Sequence, residues 1–220
     1  MATGDGPVTE ICRITLKPNV DIAEESKDFK IWREALDTVA SQDGFVKSYY
    51  GTQLEAKNEV VWCIDWTSIS AHRAFEASSA YQLFKEKLGV IMEDVIVFHI
   101  NQISKPLPSP AVIEIATFYG TDEVFIHGLG EFKKAVENLK EVPRGYLSWM
   151  DWGSSFEMIR KGGDGEKGEG EKGTAVVLML AWRSMEDHMA FRDTEDFKSV
   201  IGYLREGTTG AEMMRNKKRC

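Results

Sequence analysis

His99 and Asn101 stand two residues apart in the run Asp94 to Ile103. Residues two apart on an extended strand project from the same face. This imidazole and this amide therefore point together, opposite Ile96, Phe98 and Ile100. An imidazole can take a proton from a phenol or an acidic carbon, and an amide can hold the oxyanion left behind. The alternative is a pair at a solvated or interfacial strand end. Asp65 lies inside the apolar run VVWCIDW with Trp62 and Trp66. A carboxylate in apolar surroundings holds its proton to higher pH, which suits a general acid or base; a strand end open to solvent is the other reading. His72 sits between Ile69 and Phe75, as His188 sits between Met185 and Phe191. That spacing reads as a packed histidine, although such a group can also shuttle protons. Tyr49, Tyr50, Trp149 and Trp152 lie on strand-like runs, where aromatics form walls for a flat ligand or pack a core. The candidate catalytic set is thus His99, Asn101, Asp65 and His72. The candidate substrate walls are Tyr49, Tyr50, Trp62, Trp66, Trp149 and Trp152.

Other chemistries lack their residues. The four histidines, at 72, 99, 127 and 188, are scattered and form no HxxxH or HExxH, and the three cysteines form no CxxC. No metal and no cofactor are expected. Glycine-rich nucleotide loops and GxSxG are absent, so neither nucleotide binding nor a serine hydrolase is expected.

Composition narrows the partners. The chain has 220 residues and a net charge of −8, a poor match to the phosphate backbone of nucleic acid. No apolar run approaches the roughly 18 residues of a membrane span. Met1 to Pro7 is glycine-rich without an apolar stretch, so no secretory signal and a cytoplasmic location are expected. Cys12 and Cys63 lie in apolar strands and read as inert buried thiols, with Cys220 terminal.

The elements that must position these residues occur twice. Trp66, His72, Phe75, Tyr81 and Leu88 recur at an offset of 116 as Trp182, His188, Phe191, Phe197 and Leu204. Gly44-Phe45 recurs at an offset of 101 as Gly145-Tyr146, so the second half carries 15 extra residues. The run GGDGEKGEGEKG, Gly162 to Gly173, accounts for most of them and reads as a flexible hairpin loop. SKPLPSP, Ser104 to Pro110, separates the halves. Residues 8–104 read as strand, helix, two strands, a helix broken near Ser78-Ser79, and a fourth strand. This is the βαββαβ order of ferredoxin-like α+β units. Residues 110–217 repeat it, with a degraded last strand reduced to Met213-Met214 and a solvated basic tail.

The repeated segments TSISAHRAFEASSAY and WRSMEDHMAFRDTEDF, each at the end of a strand closing in tryptophan, resemble the dimeric α+β barrel superfamily. The resemblance is to tandem, fungal-type antibiotic biosynthesis monooxygenase (ABM)-like domains. It covers nearly the whole chain twice. It implies antiparallel sheets packed as a barrel, here as a pseudo-dimer within one chain, with a further homodimer allowed. It implies a small-molecule substrate and cofactor-free oxygenation of phenolic, polyketide-like metabolites. The heme-degrading branch of that superfamily uses an asparagine on the first strand and a histidine on the second helix. This chain has Ile11-Cys12-Arg13 and Phe75-Glu76 at those places.

The expected activity is therefore a cofactor-independent, monooxygenase-like enzyme in which His99 or Asp65 is the base and Asn101 holds the anion. An oxygen-independent cyclase or decarboxylase on the same scaffold is one alternative. A non-catalytic ligand-binding or interaction protein is another, favoured if no cavity of about 300 Å³ exists.

Overall fold

The computed structural model of the chain describes residues 6–23, 26–109, 111–165 and 168–219. Cys220 and most of the N-terminal stretch read above lie outside these residues, as do parts of the linker and the insertion. The chain divides into two compact units, Met1–Gln102 and Ile103–Lys218, with 219–220 grouped with the first.

In the first unit, β1 (Val8–Leu16) leads to α1 (Lys27–Ala40), then β2 (Phe45–Gln53) and β3 (Glu59–Trp66). Two short helices follow, α2 (Ile69–Glu76) and α3 (Ser79–Leu88), before β4 (Met92–Asn101). The strands pair antiparallel in the order β4-β1-β3-β2. Helix α1 starts at Lys27 because Ser26 caps it, accepting from the Phe29 amide. Its buried face is Trp32, Ala35 and Val39, one stripe of a 3.6-residue period. The second helix breaks between Glu76 and Ser79, as its sequence indicated.

The second unit follows the same order. It contains β5 (Val112–Tyr119), α4 (Glu123–Glu137) and β6 (Tyr146–Ser154). The hairpin β7 (Ile159–Lys161) and β8 (Glu169–Gly173) comes next, then β9 (Ala175–Trp182), α5 (Met185–Arg192), α6 (Glu195–Val200), a 3₁₀ turn (Ile201–Leu204) and β10 (Gly210–Arg219). Its large sheet runs β10-β5-β9-β6, again antiparallel.

Two expectations change here. The last strand of the second half is not degraded. β10 pairs with β5 from Gly210 through Lys217. Its sequence lacks apolar alternation, but ladder bonds are made by the backbone, and the buried Arg215 finds a side-chain partner. The insertion forms part of a paired hairpin where a flexible hairpin loop was expected. Its β8 pairs with β7, which immediately precedes the insertion, and Lys161–Glu169 and Lys172–Asp164 ion pairs at 2.7 and 2.6 Å lace the hairpin.

The glycine-aromatic pairs have a steric cause. Gly44 (φ +83°) and Gly145 (φ +74°) take up left-handed backbone just before β2 and β6. Each carbonyl accepts the amide that follows the tryptophan, Thr67 in one unit and Arg183 in the other. A Cβ on Gly44 would lie 2.5 Å from the Cβ of Ala71, and one on Gly145 would collide with Asp187. Only glycine allows the helix to come this close to the strand.

Candidate functional site

The site of the first unit is built on the helix-facing side of its sheet. On β1, Glu10 and Cys12 share that face, two residues apart. His99 of β4 lies directly across the ladder from Glu10. Trp66 closes β3, and His72 hangs from α2 above it, the two rings 5.1 Å apart. Ser68 caps α2 through the Ala71 amide and so fixes where His72 points.

These side chains form one buried network. The Trp66 indole N–H donates to Glu10 Oε2 at 2.7 Å. The Cys12 thiol donates to Glu10 Oε1 at 3.2 Å. His72 faces Glu10 Oε1 with Nε2 at 3.5 Å and meets His99 Nε2 with Nδ1 at 2.8 Å. Glu10, His72 and His99 are 4%, 4% and 6% exposed. Burial raises the Glu10 carboxyl above its ordinary value, against the hydrogen bonds of Trp66 and Cys12, which lower it. Burial also holds the Cys12 thiol well above the usual range, helped by the neighbouring carboxylate.

Glu10 and His72 border an apolar cavity of about 100 Å³. Its other walls include Trp62, Trp66, Phe75 and Tyr81. A carboxylate and an imidazole facing an aromatic chamber can accept a proton from a bound molecule where water is scarce.

The second unit carries the same network with two exchanges, at the places of His99 and Cys12. Trp182 donates to Glu114 Oε2 at 3.3 Å, and His188 Nε2 lies 3.1 Å from the same oxygen. Where the first unit has His99, opposite the glutamate, the second has Arg215 opposite Glu114. Arg215 Nε donates to His188 Nδ1 at 2.9 Å. A guanidinium only donates, so Nδ1 of His188 must be the acceptor and Nε2 carries the proton toward Glu114. Burial, with Arg215 and Arg192, pushes the His188 pKa down to about 3. The cavity here is only about 30 Å³. Phe118 lines it where Ile14 lines the first, and Ala116 stands in place of Cys12.

The expected residues divide accordingly. His72, Trp62 and Trp66 line the first cavity, and His99 reaches it through His72. Asn101 shares the face of His99 but is exposed at the end of β4. Asp65 is on the opposite face, where Thr9 donates to it at 2.6 Å and Lys47 lies at 3.3 Å. Its pKa is raised by burial, against both partners. The strand alternation therefore separates Asp65 from His99, while His99 and Asn101 share a face as expected, the first buried and the second exposed. Tyr50 packs its ring on Trp32 at 5.2 Å and belongs to the core. Tyr49 is on the other face, across from Cys63. Trp149 and Trp152 belong to the second unit. The register shifts between Tyr146 and Met150, so Trp152 joins the helix-facing core with Met150 and Trp149 does not.

Sequence reasoning missed Glu10 and Glu114. The available signal was a glutamate on an otherwise apolar strand face, in VTEIC and again in VIEIA. It also read the histidines as scattered. The fold brings His72 and His99 together with Glu10, one donor atom from each lying within 4.8 Å of the others.

No protein-family model matches this sequence, and no curated protein matches it. Solved structures do match in fold. An anthrone oxidase-like protein superposes with a TM-score of 0.70 at 16% identity, over 98% of this chain and 93% of its own. A candidate monooxygenase of Fusobacterium nucleatum gives 0.61 at 13% identity, over 98% and 94%. A candidate monooxygenase of Lactobacillus acidophilus gives 0.58 at 12%, over 97% and 94%. At these identities the likeness is one of fold, and it extends over both units. Among the described residues, no helix is long and apolar enough to cross a membrane.

Proposed function

We propose that the chain is a monooxygenase-like enzyme that acts on a small aromatic molecule in the cavity of its first unit without a prosthetic group. The observation that carries this reading is the buried Glu10–His72–His99 network, which opens onto a chamber walled mostly by apolar side chains, with Lys85 among its lining residues. The reading takes each unit as a ferredoxin-like repeat of the ABM-like, dimeric α+β barrel class, supported by the strand order of each sheet and by the fold neighbours.

In the proposed reaction a substrate methylene made acidic by its aromatic neighbours gives a proton to Glu10 or His72. The resulting anion transfers electrons to dioxygen. Oxygen bonds to the carbon, and the peroxide breaks down. One oxygen stays as a carbonyl, and the other leaves as water with the two hydrogens of the methylene. Trp62, Trp66, Phe75 and Tyr81 hold the ring, and His99 positions His72. Asp65 and Asn101 have no part in this scheme.

One observation favours a second reading, that of a binding or interaction protein. The cavity of about 100 Å³ is below the roughly 300 Å³ of ordinary ligand pockets. A substrate of several rings therefore requires the cavity to widen.

Anthrone is a suitable probe, because its central methylene is acidic and one fold neighbour is described as anthrone oxidase-like. The expected result is oxygen uptake matched to anthraquinone formation above the uncatalysed rate. Glu10→Gln should lower it by about 100-fold or more. Substrate turnover that proceeds without dioxygen would favour the cyclase or decarboxylase alternative, and absence of any turnover would favour the binding protein.

A further inference from the structure

The two networks differ at two places, Cys12 against Ala116 and His99 against Arg215, and the second difference concerns charge. Both units bury a glutamate under a tryptophan and a histidine. In the second unit the residue opposite the glutamate is Arg215, a permanent cation. In the first unit the corresponding residue is His99, whose nitrogen bears a lone pair whenever the ring is neutral. An imidazole in that place can do what a guanidinium cannot, which is to ligate a metal ion.

We propose that Glu10, His72 and His99 form a site for a divalent first-row transition ion of the zinc class. Two imidazoles and one carboxylate are the donors such ions take, with bonds of about 2.0–2.2 Å. Ligands at that radius in tetrahedral array lie about 3.4 Å from one another. Here one donor atom from each of the three residues lies within 4.8 Å of the others; His72 turns Nδ1 to His99 at 2.8 Å and Nε2 to Glu10 Oε1 at 3.5 Å, so an ion takes one of these two ring nitrogens and the remaining ligand swings toward it. Small side-chain rotations bring the three donors around one ion. The Cys12 sulfur, 3.2 Å from Glu10 Oε1, is a soft donor at the edge of the set. The ion supplies to the first network the positive charge that Arg215 supplies to the second.

On the oxygenase reading proposed above, the same donors serve two purposes. The lone pairs that would hold the ion are the ones that would accept the substrate proton. Zinc and turnover therefore exclude each other, and the metal acts as an inhibitor.

The test uses the full chain without a polyhistidine tag, stripped with chelator and titrated with Zn²⁺ by calorimetry and with Co²⁺ by absorption. The expected result is one equivalent bound per chain, with ligand-field bands for Co²⁺. His99→Arg copies the second unit, which already accommodates arginine at this place. It should stay folded by thermal melting and bind at least about 100-fold more weakly. Glu10→Gln should also weaken binding, and it serves if His99→Arg does not fold. His127→Gln and His188→Gln should leave binding unchanged. Absence of saturable binding in the unaltered chain, or binding that survives both His99→Arg and Glu10→Gln, overturns the site. Because binding is read without substrate, it stands or falls apart from the oxygenase reading. If anthrone oxidation occurs, one equivalent of Zn²⁺ should abolish it; oxidation undiminished in the zinc-loaded chain overturns the inhibitory role.

Discussion

Arg215 stands to His188 as His99 stands to His72. Each lies 27 residues further along the chain and meets Nδ1 of its histidine, at 2.9 and 2.8 Å. In one unit the partner can only donate. In the other it can donate or accept, so the proton arrangement of the first network can change while that of the second is fixed. The units are therefore alike in architecture and unlike in what their buried histidines can do.

That difference predicts unequal effects of matched substitutions. Glu10→Gln and Glu114→Gln remove equivalent carboxylates. Glu10→Gln should abolish anthrone oxidation, whereas Glu114→Gln should leave its kcat within about twofold and lower only the stability. Steady-state kinetics and urea unfolding on the same two proteins decide the matter, and equal kinetic losses would remove the assignment to the first unit.

Trp66→Phe keeps a large ring over the core and deletes one N–H. Glu10 then loses its 2.7 Å donor, and a buried acceptor short of a donor costs about 1–3 kcal/mol. Trp182→Phe deletes a longer bond, 3.3 Å, and should cost less. Urea midpoints at constant slope would measure both.

The depressed pKa of His188 sets a pH dependence. The unfolded chain takes up this proton below the ordinary value of 6.5, and the folded chain only near about 3. The stability associated with neutral His188 is thus fully present above pH 6.5 and drains away as the pH falls toward 3. Unfolding followed between pH 7 and 4 should show a shallower decline for His188→Gln than for the unaltered chain.

Gly44→Ala should cost more than about 1 kcal/mol, because the new methyl meets both the left-handed backbone and Ala71. Gly145→Ala should behave the same way against Asp187. Gly130, inside α4 with open space around it, is the control, and its alanine variant should be neutral or stabilised by about 0.5–1 kcal/mol. Thermal melts of the three variants would separate these outcomes.

Cys12 and Cys63 are buried, and burial pushes Cys63 up to about 12. In a Cys220→Ser background neither should react with a thiol reagent at pH 8 until the chain unfolds. Rapid labelling of the folded protein would contradict their burial.

Much of the architecture was legible because packing demands recurring residues. Trp66 and Trp182, His72 and His188, and the two glycine-aromatic pairs mark the same contacts in both units. The last strand was not legible, since MMRNKK carries no apolar alternation, and the burial of Arg215 depends on partners such as His188 that lie far away in sequence. Part of the site was visible too. His72 and His99 were singled out, but their meeting depends on a cross-strand register and a helix cap, neither of which one stretch of sequence displays. Glu10 hid in plain view, as one member of a strand face whose other members are apolar.

The hydrogen bond from Trp66 to Glu10 gives the molecule its own optical gauge. An indole bound to a carboxylate and walling a cavity emits according to what its neighbour holds. A proton, a metal ion or a ring against that carboxylate should each shift the Trp66 fluorescence. Trp182, bound to Glu114 beside a cavity of about 30 Å³, provides a built-in reference. Single-tryptophan subtraction with Trp66→Phe and Trp182→Phe would let occupancy of the first unit be followed in solution with no label attached.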